Sequence, residues 1–300
     1  MKKVVIAGGT GFLGQVLEEH FSNHQFLVKI LTRHPQKPNH VYWDGQNIGI
    51  WKEEFENAEL LINLCGKSVD CRYTEKNKKA IYDSRIETTH LLGLAINLCE
   101  NPPKTWINSS TATIYESSLN KPMTEENGDI GNDFSMNIAK AWEKAFYSIP
   151  NPKTRKVAIR TSIVMGKNGG AFTPLKNITK LGLGGPQGSG QQKVSWIHEI
   201  DFARALYFIL KKKDLQGAIN ISVPNPITNR QLMSTLRHLM TIPFGLPQPV
   251  WLVNLGAKLI GTESELVLKS RNVIPERLLR EGFSFLFPEI EPALIQILKT

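Results

Sequence analysis

The stretch that decides the fold is GGTGFLG at positions 8–14, which satisfies both the GxxGxxG and the GxGxxG spacing. It follows a short β-branched segment, KKVVIA at 2–7, and it precedes apolar residues at helical spacing up to Phe21. Glycines in a strand-to-helix turn let backbone N–H groups approach a pyrophosphate, and the helix N-terminus adds partial positive charge. We therefore predict a phosphate-binding turn that contacts a dinucleotide through Gly8, Thr10, Gly11, Phe12, Leu13 and Gly14. A tight turn without a ligand is the alternative.

Strand-like and helix-like segments alternate along the rest of the chain. Further strands are predicted at 26–31, 59–64, 105–109, 157–164 and 218–221, and helices at 75–99, 133–147, 200–211 and 229–239. This alternation is typical of an α/β protein with a doubly wound parallel sheet, the NAD(P)-binding Rossmann fold.

The predicted organisation has a dinucleotide-binding domain and a smaller, mostly helical substrate region. The first covers 1–165 and is completed by segments around 194–222. A glycine-rich segment at 166–193 is too long for an idle connection and is expected to act as a mobile flap over a ligand. Residues 223–300 form the C-terminal substrate region.

Composition limits the classes of function. The net charge is +9, but no Lys/Arg run resembles a nucleic-acid-binding tail, and no apolar run approaches the length of a membrane span. The three cysteines show no metal-ligand spacing, so no metal site is predicted. We expect a cytoplasmic protein with reduced thiols and a small-molecule substrate, and the oligomeric state stays open.

The end of the second predicted strand bears on the choice of dinucleotide. An acidic residue at this point would hold the ribose 2′-hydroxyl of NAD. This chain has Arg33, followed by His34 and, a little further, Lys37. A guanidinium suits a 2′-phosphate, which favours NADP(H), with NAD(H) still possible. A surface arginine with no ligand is the alternative.

Several blocks resemble the extended short-chain dehydrogenase/reductase superfamily. They are GGTGFLG at 8–14, NLCG at 63–66, SSTATIY at 109–115 and SWIHEID at 195–201. The chain is similar in more detail to an atypical, sugar-nucleotide epimerase-like subgroup of NAD-dependent epimerase/dehydratases. The marks of that subgroup are SRIETT at 84–89, AWEKA at 141–145, RTSIVMGKNGGAF at 160–172, NPITN at 225–229 and GFSFLFP at 282–288.

The resemblance implies a set of site residues. Leu64, Cys65, Gly66 and Ser109 would lie beside the cofactor, Thr111 would hydrogen-bond the substrate oxygen, and Lys140 would hold the nicotinamide ribose. The superfamily uses a Tyr four residues before that lysine as its acid/base, but this chain has Met136 there. A thioether cannot transfer a proton, so the usual acid/base is missing.

Other groups are candidates for the missing role. Tyr115 and Glu116 follow Thr111 closely, and His198 and Asp201 begin a predicted helix. Each has a structural alternative: Tyr115 as a packing residue, His198 and Asp201 as partners of local hydrogen bonds at the helix start.

The substrate is expected to be nucleotide-sugar-like, or another polar hydroxyl or carbonyl compound. Arg85, His198 and Asp201 are the predicted substrate residues. Arg85, Lys67 and Lys193 would suit a diphosphate, although Arg85 could equally pair with a carboxylate. The expected function is an NADP-dependent oxidoreductase or epimerase. A cofactor-binding sensor without turnover is the alternative that Met136 suggests, and an interaction scaffold is a weaker one.

Overall fold

The computed structural model of the protein describes residues 1–299, so the last residue of the predicted C-terminal region lies outside the described residues. The strands are β1 (Lys3–Ala7), β2 (Leu27–Thr32), β3 (His40–Tyr42), β4 (Ala58–Asn63), β5 (Thr105–Thr111), β6 (Arg155–Thr161), β7 (Ile163–Gly166), β8 (Gly169–Gly170), β9 (Lys193–Val194), β10 (Trp196–His198), β11 (Gly217–Ile221) and β12 (Ile227–Thr228). The α-helices are α1 (Phe12–Asn23), α2 (Glu75–Asn97), α3 (Phe134–Ser148), α4 (Phe172–Lys180), α5 (Glu199–Lys211), α6 (Asn229–Leu239), α7 (Val250–Ile260), α8 (Glu265–Leu268), α9 (Glu276–Arg280) and α10 (Ile290–Lys299).

The main sheet has seven strands in the order β11-β6-β5-β4-β1-β2-β3, and every pair in it is parallel. The carboxyl ends of all its strands therefore lie at one edge. From β1 the chain continues to β2 and β3 on one side, and from β4 it continues to β5, β6 and β11 on the other side. This reversal of direction opens a crevice at the carboxyl ends of β1 and β4. The predicted fold class, a doubly wound parallel sheet, is confirmed.

The central strand β1 is buried on both faces, which explains its continuous apolar sequence. Val4 and Ile6 pack in the layer that contains α1 and α5, while Val5 and Ala7 pack in the layer of α2 and α3. Burial of side chains of this size contributes about 1.5–3 kcal/mol each. The glycine turn that follows β1 is thus fixed to the most completely buried part of the sheet.

The predicted strand at 157–164 is in fact two strands. Ser162 interrupts it: its N–H and its hydroxyl both donate to the Ile221 carbonyl, at 3.0 and 2.8 Å. The chain leaves the main sheet at this point, and β7 pairs instead with β10 and β8 in a small second sheet. Hydrophobic continuity cannot reveal such a change of sheet.

The segment predicted as a glycine-rich flap is more structured than its composition indicates. It contains the last residue of β7, the turn to β8, β8 itself and the nine-residue helix α4. The loop after α4 is held by hydrogen bonds from the Gln187 N–H to the Asn229 side chain, at 2.9 Å, and from the Gly188 N–H to the Gln248 carbonyl, at 2.7 Å. Within the described residues, no helix combines the length and apolar character needed to cross a membrane.

Candidate dinucleotide and substrate site

The glycine turn lies at the crevice and leaves space at the start of α1. Gly8 has a φ of +73°, in the left-handed region, and a Cβ on it would lie 2.9 Å from the Cys65 Sγ. A Cβ on Gly14 would lie 2.1 Å from the Gly9 carbonyl oxygen. A Cβ on Gly11, by contrast, meets nothing within 4 Å, and no side chain caps the helix there. The helix N-terminus is therefore open to an anion.

Phe12, also predicted to contact the dinucleotide, packs against the β7–β8 hairpin. Cβ atoms built on Gly166 and Gly169 would lie 2.4 and 2.5 Å from its ring. The first residue of α1 thus ties the glycine turn to the start of the flap segment. Thr10 is exposed, and its carbonyl accepts a hydrogen bond from the Gln15 side chain at 3.1 Å.

The NLCG turn after β4 sits directly beside the glycine turn. The Leu64 N–H donates to the Ala7 carbonyl at 2.9 Å, and the Cys65 N–H donates to the Asn63 side chain at 3.0 Å. Cys65 is half-buried, and Gly66 is exposed. The structure therefore brings together the two predicted cofactor-binding turns.

A buried polar network supports the NLCG turn from below. The Asn63 amide donates to Thr89 at 3.1 Å and to Asn108 at 2.7 Å, and the Trp142 indole N–H donates to Thr89 at 2.9 Å. Fully satisfied networks of this kind fix one arrangement, because an unpaired buried polar group is costly. No motif in the sequence indicates this network.

Arg33 follows β2 at the same edge and is exposed, with no hydrogen bond or ion pair of its side chain in the described structure. Burial raises the pKa of the Cys65 thiol to about 12, while the charge of Arg33 acts on that thiol in the opposite direction. The guanidinium therefore lies close to the NLCG turn. Lys37 is different, because it forms an ion pair with Glu18 at 2.9 Å.

Ser109, Thr111 and Lys140 lie where β5 ends and α3 passes over it, and all three are half-buried. The Thr111 hydroxyl accepts from the Thr113 N–H at 3.1 Å and contacts the Thr113 hydroxyl at 3.0 Å. When the Thr113 hydroxyl is the donor in that contact, the Thr111 O–H is free to donate to another group. The Lys140 ammonium donates to the Asn132 side chain at 2.5 Å. Lys140 has no carboxylate partner within the described residues.

Met136 is buried one helical turn before Lys140. A Cβ on Gly131 would lie 2.2 Å from the Met136 sulfur, so the thioether packs directly against that backbone. The position therefore holds an apolar contact where the superfamily has its acid/base. Glu116 lies close by, since the same Cβ would be 3.1 Å from its Cγ, and its side chain is exposed.

Tyr115 is fully buried and its hydroxyl is already engaged. It donates to Asn220 at 2.9 Å and accepts from Arg160 at 2.8 Å. Arg160 in turn forms a two-point ion pair with Glu143, at 2.9 and 2.8 Å. This environment matches the packing interpretation of Tyr115, and the structure does not bring its hydroxyl to the crevice.

His198 is likewise buried at the start of α5. Its Nδ1 accepts from the Ile200 N–H at 3.1 Å, and its Nε2 lies 2.9 Å from the Gln296 side-chain oxygen. Burial lowers the pKa of His198, against the Gln296 hydrogen bond and the charge of Asp201. A neutral ring that donates from Nε2 satisfies both contacts, so His198 caps a helix and joins α5 to α10.

Asp201 has no exposed surface, and its carboxylate ties α5 to the C-terminal region. It accepts from the backbone N–H groups of Leu286 and Phe287, at 3.0 and 2.8 Å, and it pairs with Arg204 at 2.6 Å. All of these partners are structural. The arrangement gives the predicted substrate residues His198 and Asp201 no route to the crevice.

Arg85 lies under the NLCG turn without a carboxylate partner in the described structure. Its guanidinium donates to the carbonyls of Lys67 and Ile81, at 2.9 and 3.0 Å, and it lies 4.9 Å from the centre of the Trp142 ring. Burial lowers the pKa of Arg85 to about 10, with Tyr73 acting in the opposite direction. A half-buried cation balanced by carbonyl oxygens and an aromatic face is suited to an anionic ligand.

Two further residues join this region, and sequence reasoning missed both. The Arg271 Nη1 and the Tyr73 hydroxyl are buried polar atoms with no hydrogen-bond partner. Burial lowers the pKa of Arg271, while the charges of Asp133 and Glu265, and then Tyr73, act in the opposite direction. Tyr73 acts in the same way on Arg85. Unpaired buried donors of this kind call for an explanation such as a ligand. Arg271 lies in the irregular segment between α8 and α9, with no recognisable motif around it, so no sequence signal indicates it.

Two further predicted diphosphate contacts are lysines. The Lys67 ammonium donates to the Asn77 side chain at 3.0 Å, while Lys193 adjoins Arg271 through a backbone hydrogen bond of 2.8 Å.

Among the described residues, no group of three or more His, Cys, Asp or Glu side chains could hold a metal ion.

The strand order, the glycine turn and the adjoining NLCG turn define the class: an atypical extended short-chain dehydrogenase/reductase with a Rossmann-type fold. Comparison with known proteins makes this specific. The profile of the NAD dependent epimerase/dehydratase family matches residues 4–222, and that of a domain of unknown function matches 248–297. The chain belongs to the NAD dependent epimerase/dehydratase family.

Similar proteins span the full chain. The epimerase family protein SDR39U1 of Mus musculus is 32% identical over 296 residues, which are 97% of this chain and 98% of the relative. The epimerase family protein YfhF of Bacillus subtilis is 32% identical over 301 residues, covering 98% and 97%. The crystal structure of human SDR39U1 with NADPH superposes with a TM-score of 0.90 at 31% identity, covering 99% of both chains.

Proposed function

We propose that this protein binds NADP(H) in the crevice above β1 and β4 and acts on a polar, anionic hydroxyl or carbonyl compound. The observation that carries the cofactor assignment is the exposed, unpaired Arg33 at the end of β2. The open N-terminus of α1 supports a pyrophosphate contact, and the presence of NADPH in human SDR39U1 agrees with the choice of dinucleotide.

The bound dinucleotide would supply hydride chemistry, and the chain would supply position and charge. Gly11 and its neighbours hold the pyrophosphate, and Arg33 holds the 2′-phosphate. Thr111 donates to the substrate oxygen. Lys140 holds the nicotinamide ribose: among the described residues its ammonium contacts the neutral Asn132 side chain, which leaves its charge unpaired.

The substrate end of the site is proposed to bind an anion, a phosphate or diphosphate of a nucleotide-sugar-like compound. Three donors would serve there: the Arg85 guanidinium, which donates to backbone carbonyls, and the Arg271 Nη1 and Tyr73 hydroxyl, which have no hydrogen-bond partner. Tyr73 is electrostatically coupled to both arginines. Charge-assisted hydrogen bonds to phosphate are the strong ones, and arginine suits them by geometry. Lys193, adjacent to Arg271 through the backbone, adds positive charge.

The cofactor assignment is tested by calorimetry with NADPH and NADH. We expect NADPH to bind more tightly, and Arg33→Ala to weaken NADPH about 10- to 100-fold while leaving NADH unchanged, since a charge-assisted hydrogen bond contributes about 1.5–3 kcal/mol. Lys37→Ala is the matched control, because Lys37 is already paired with Glu18. NADH affinity equal to that of NADPH would overturn the assignment.

The substrate assignment is tested by binding of UDP, UDP-glucose and glucose to the NADP-loaded protein. The nucleotides should bind, glucose should not, and Arg271→Met should abolish binding of the nucleotides. Lys67→Met is the control with a smaller expected effect, because Lys67 already has a partner in Asn77. Unchanged binding in Arg271→Met would exclude the anion site.

A second candidate is a cofactor-holding sensor without turnover. Two observations favour it. Met136 makes an apolar contact at the position where the superfamily has its acid/base, and the hydroxyl of Tyr115, a candidate replacement, is already hydrogen-bonded elsewhere. Oxidation of bound NADPH by a panel of carbonyl compounds and nucleotide sugars separates the two. Turnover that Thr111→Val removes supports the enzyme; tight NADPH binding with no oxidation supports the sensor.

A further inference from the structure

Helix α7 turns an apolar side outward. Val253 and Ala257, one turn apart, are buried against the protein. The opposite side of the helix carries Trp251, Leu255 and Leu259, which are 66%, 47% and 79% exposed. A surface helix normally presents polar residues there, and a helix that is apolar all round is usually covered.

Further exposed apolar side chains lie in the segment that precedes the helix and in the loop that contacts this segment. Phe244 and Leu246 precede α7, and both are exposed. The Leu246 N–H donates to the Gly182 carbonyl at 2.9 Å, and a Cβ on Gly182 would touch the Phe244 ring, so exposed Leu181 adjoins them. We call the set Leu181, Phe244, Leu246, Trp251, Leu255 and Leu259 the α7 face. Contiguous apolar patches of this kind mark interaction sites.

The two segments that form the α7 face carry charge of one sign. These segments, 176–190 and 240–262, contain Lys176, Lys180 and Lys258 and no Asp or Glu. Lys258 is exposed beside Leu259 on the same helix, and Lys180 directly precedes Leu181. A second copy of the chain placed on this face would bring lysines together with no carboxylate from these segments to pair with them, which is unfavourable.

From this combination we propose that the α7 face is a docking surface for an anionic phospholipid bilayer. Trp251 and the leucines enter the interfacial region, and the flanking lysines meet the phosphate head groups. With eleven residues, α7 is too short to cross a bilayer and lies along its surface. This surface is separate from the proposed cofactor and substrate contacts, none of which belongs to it.

The test is flotation of the full chain with vesicles. We use vesicles of equal parts phosphatidylcholine and phosphatidylglycerol, and vesicles of phosphatidylcholine alone. The protein should float with the anionic vesicles, bind the neutral ones weakly and be released by high salt. Leu255→Glu/Leu259→Glu should lower binding about tenfold or more, because it removes apolar burial and adds repulsion. Lys180→Glu/Lys258→Glu should weaken binding to the anionic vesicles only.

The matched control is Leu94→Glu/Leu98→Glu. These leucines are also four residues apart and are 49% and 58% exposed, but they lie at the end of α2. The control should bind vesicles like the unmodified chain, and circular dichroism should show all variants folded. Equal loss in the control, or no flotation of the unmodified chain, would overturn the proposal. So would light scattering that shows a dimer dissociated by the α7 substitutions, since the face would then bind a second copy.

Discussion

Replacement of Asp201 by Asn tests whether this residue supports the fold or contacts substrate. The carboxylate accepts two backbone N–H groups, those of Leu286 and Phe287, and pairs with Arg204. An asparagine keeps the shape but has only one acceptor oxygen. Its NH₂ group would face one of the donors that the carboxylate now accepts, so one buried N–H would lose its partner and Arg204 would lose its counter-ion.

The expected cost follows from these contacts. An orphaned buried N–H costs about 1–3 kcal/mol, and loss of one partner of a buried ion pair costs up to about 3–5 kcal/mol. Arg204 retains 29% of its side-chain exposure, so water partly compensates it. We therefore expect Asp201→Asn to lower the free energy of unfolding by roughly 2–4 kcal/mol.

The assay is urea unfolding followed by circular dichroism, with NADPH affinity measured in parallel. The matched control is Asp44→Asn, since Asp44 also accepts two backbone N–H groups, those of Gln46 and Asn47, but lies in a surface turn. It should have a much smaller effect. If Asp201→Asn unfolds like the unmodified chain and instead weakens substrate binding, the structural role assigned to this carboxylate is wrong.

Three further outcomes are expected. Gly14→Ala should lower the free energy of unfolding by roughly 2–3 kcal/mol, because its methyl group would clash with the Gly9 backbone. Gly11→Ala should leave the free energy of unfolding unchanged but lower NADPH affinity, measured by calorimetry, at least about tenfold. Equal free energies of unfolding for the two variants would contradict this prediction. Burial lowers the pKa of His20 from 6.5 to about 4. Stability should therefore be full above pH ~6.5 and fall by roughly 2 kcal/mol as the pH drops toward 4, a figure reduced from the full shift because the ring is partly exposed to water. In His20→Phe, the free energy of unfolding, measured by urea titration at several pH values, should depend less on pH. The same pH dependence in the variant and the unmodified chain would contradict this prediction. Glu143→Gln should lower the free energy of unfolding in urea by about 2–4 kcal/mol, because it breaks the buried ion pair with Arg160. A decrease under about 1 kcal/mol would show that this ion pair contributes little to stability.

Much of the nucleotide-binding half could be predicted from sequence because its signals are local. The run at 2–7, the glycines that follow it and the periodicity of α1 all act within one βα unit, and the structure has β1 and α1 there. The edge strand β3 was not predicted, because its three residues are too few to show a strand pattern that differs from a loop.

The site was harder to predict where it depends on distant residues. Tyr73 and Arg271 are almost two hundred positions apart, and only the folded chain shows that both have unpaired buried atoms. His198 and Asp201 were selected as polar residues at a helix start, but their partners, Gln296 and the backbone near 287, lie about ninety residues further on. Spacing within a motif carries no information about such partners.

The polar network beneath the NLCG turn has a consequence for how the two halves of the crevice respond to ligands. It runs from the Cys65 N–H through Asn63 and Thr89 to Trp142, on which Arg85 stacks. An anion that draws Arg85 away from Trp142 alters the support of the turn facing the dinucleotide. By thermodynamic reciprocity, a dinucleotide seated on that turn alters the hold on Arg85 by the same free energy. We therefore expect affinity for either proposed ligand to depend on occupancy of the other site.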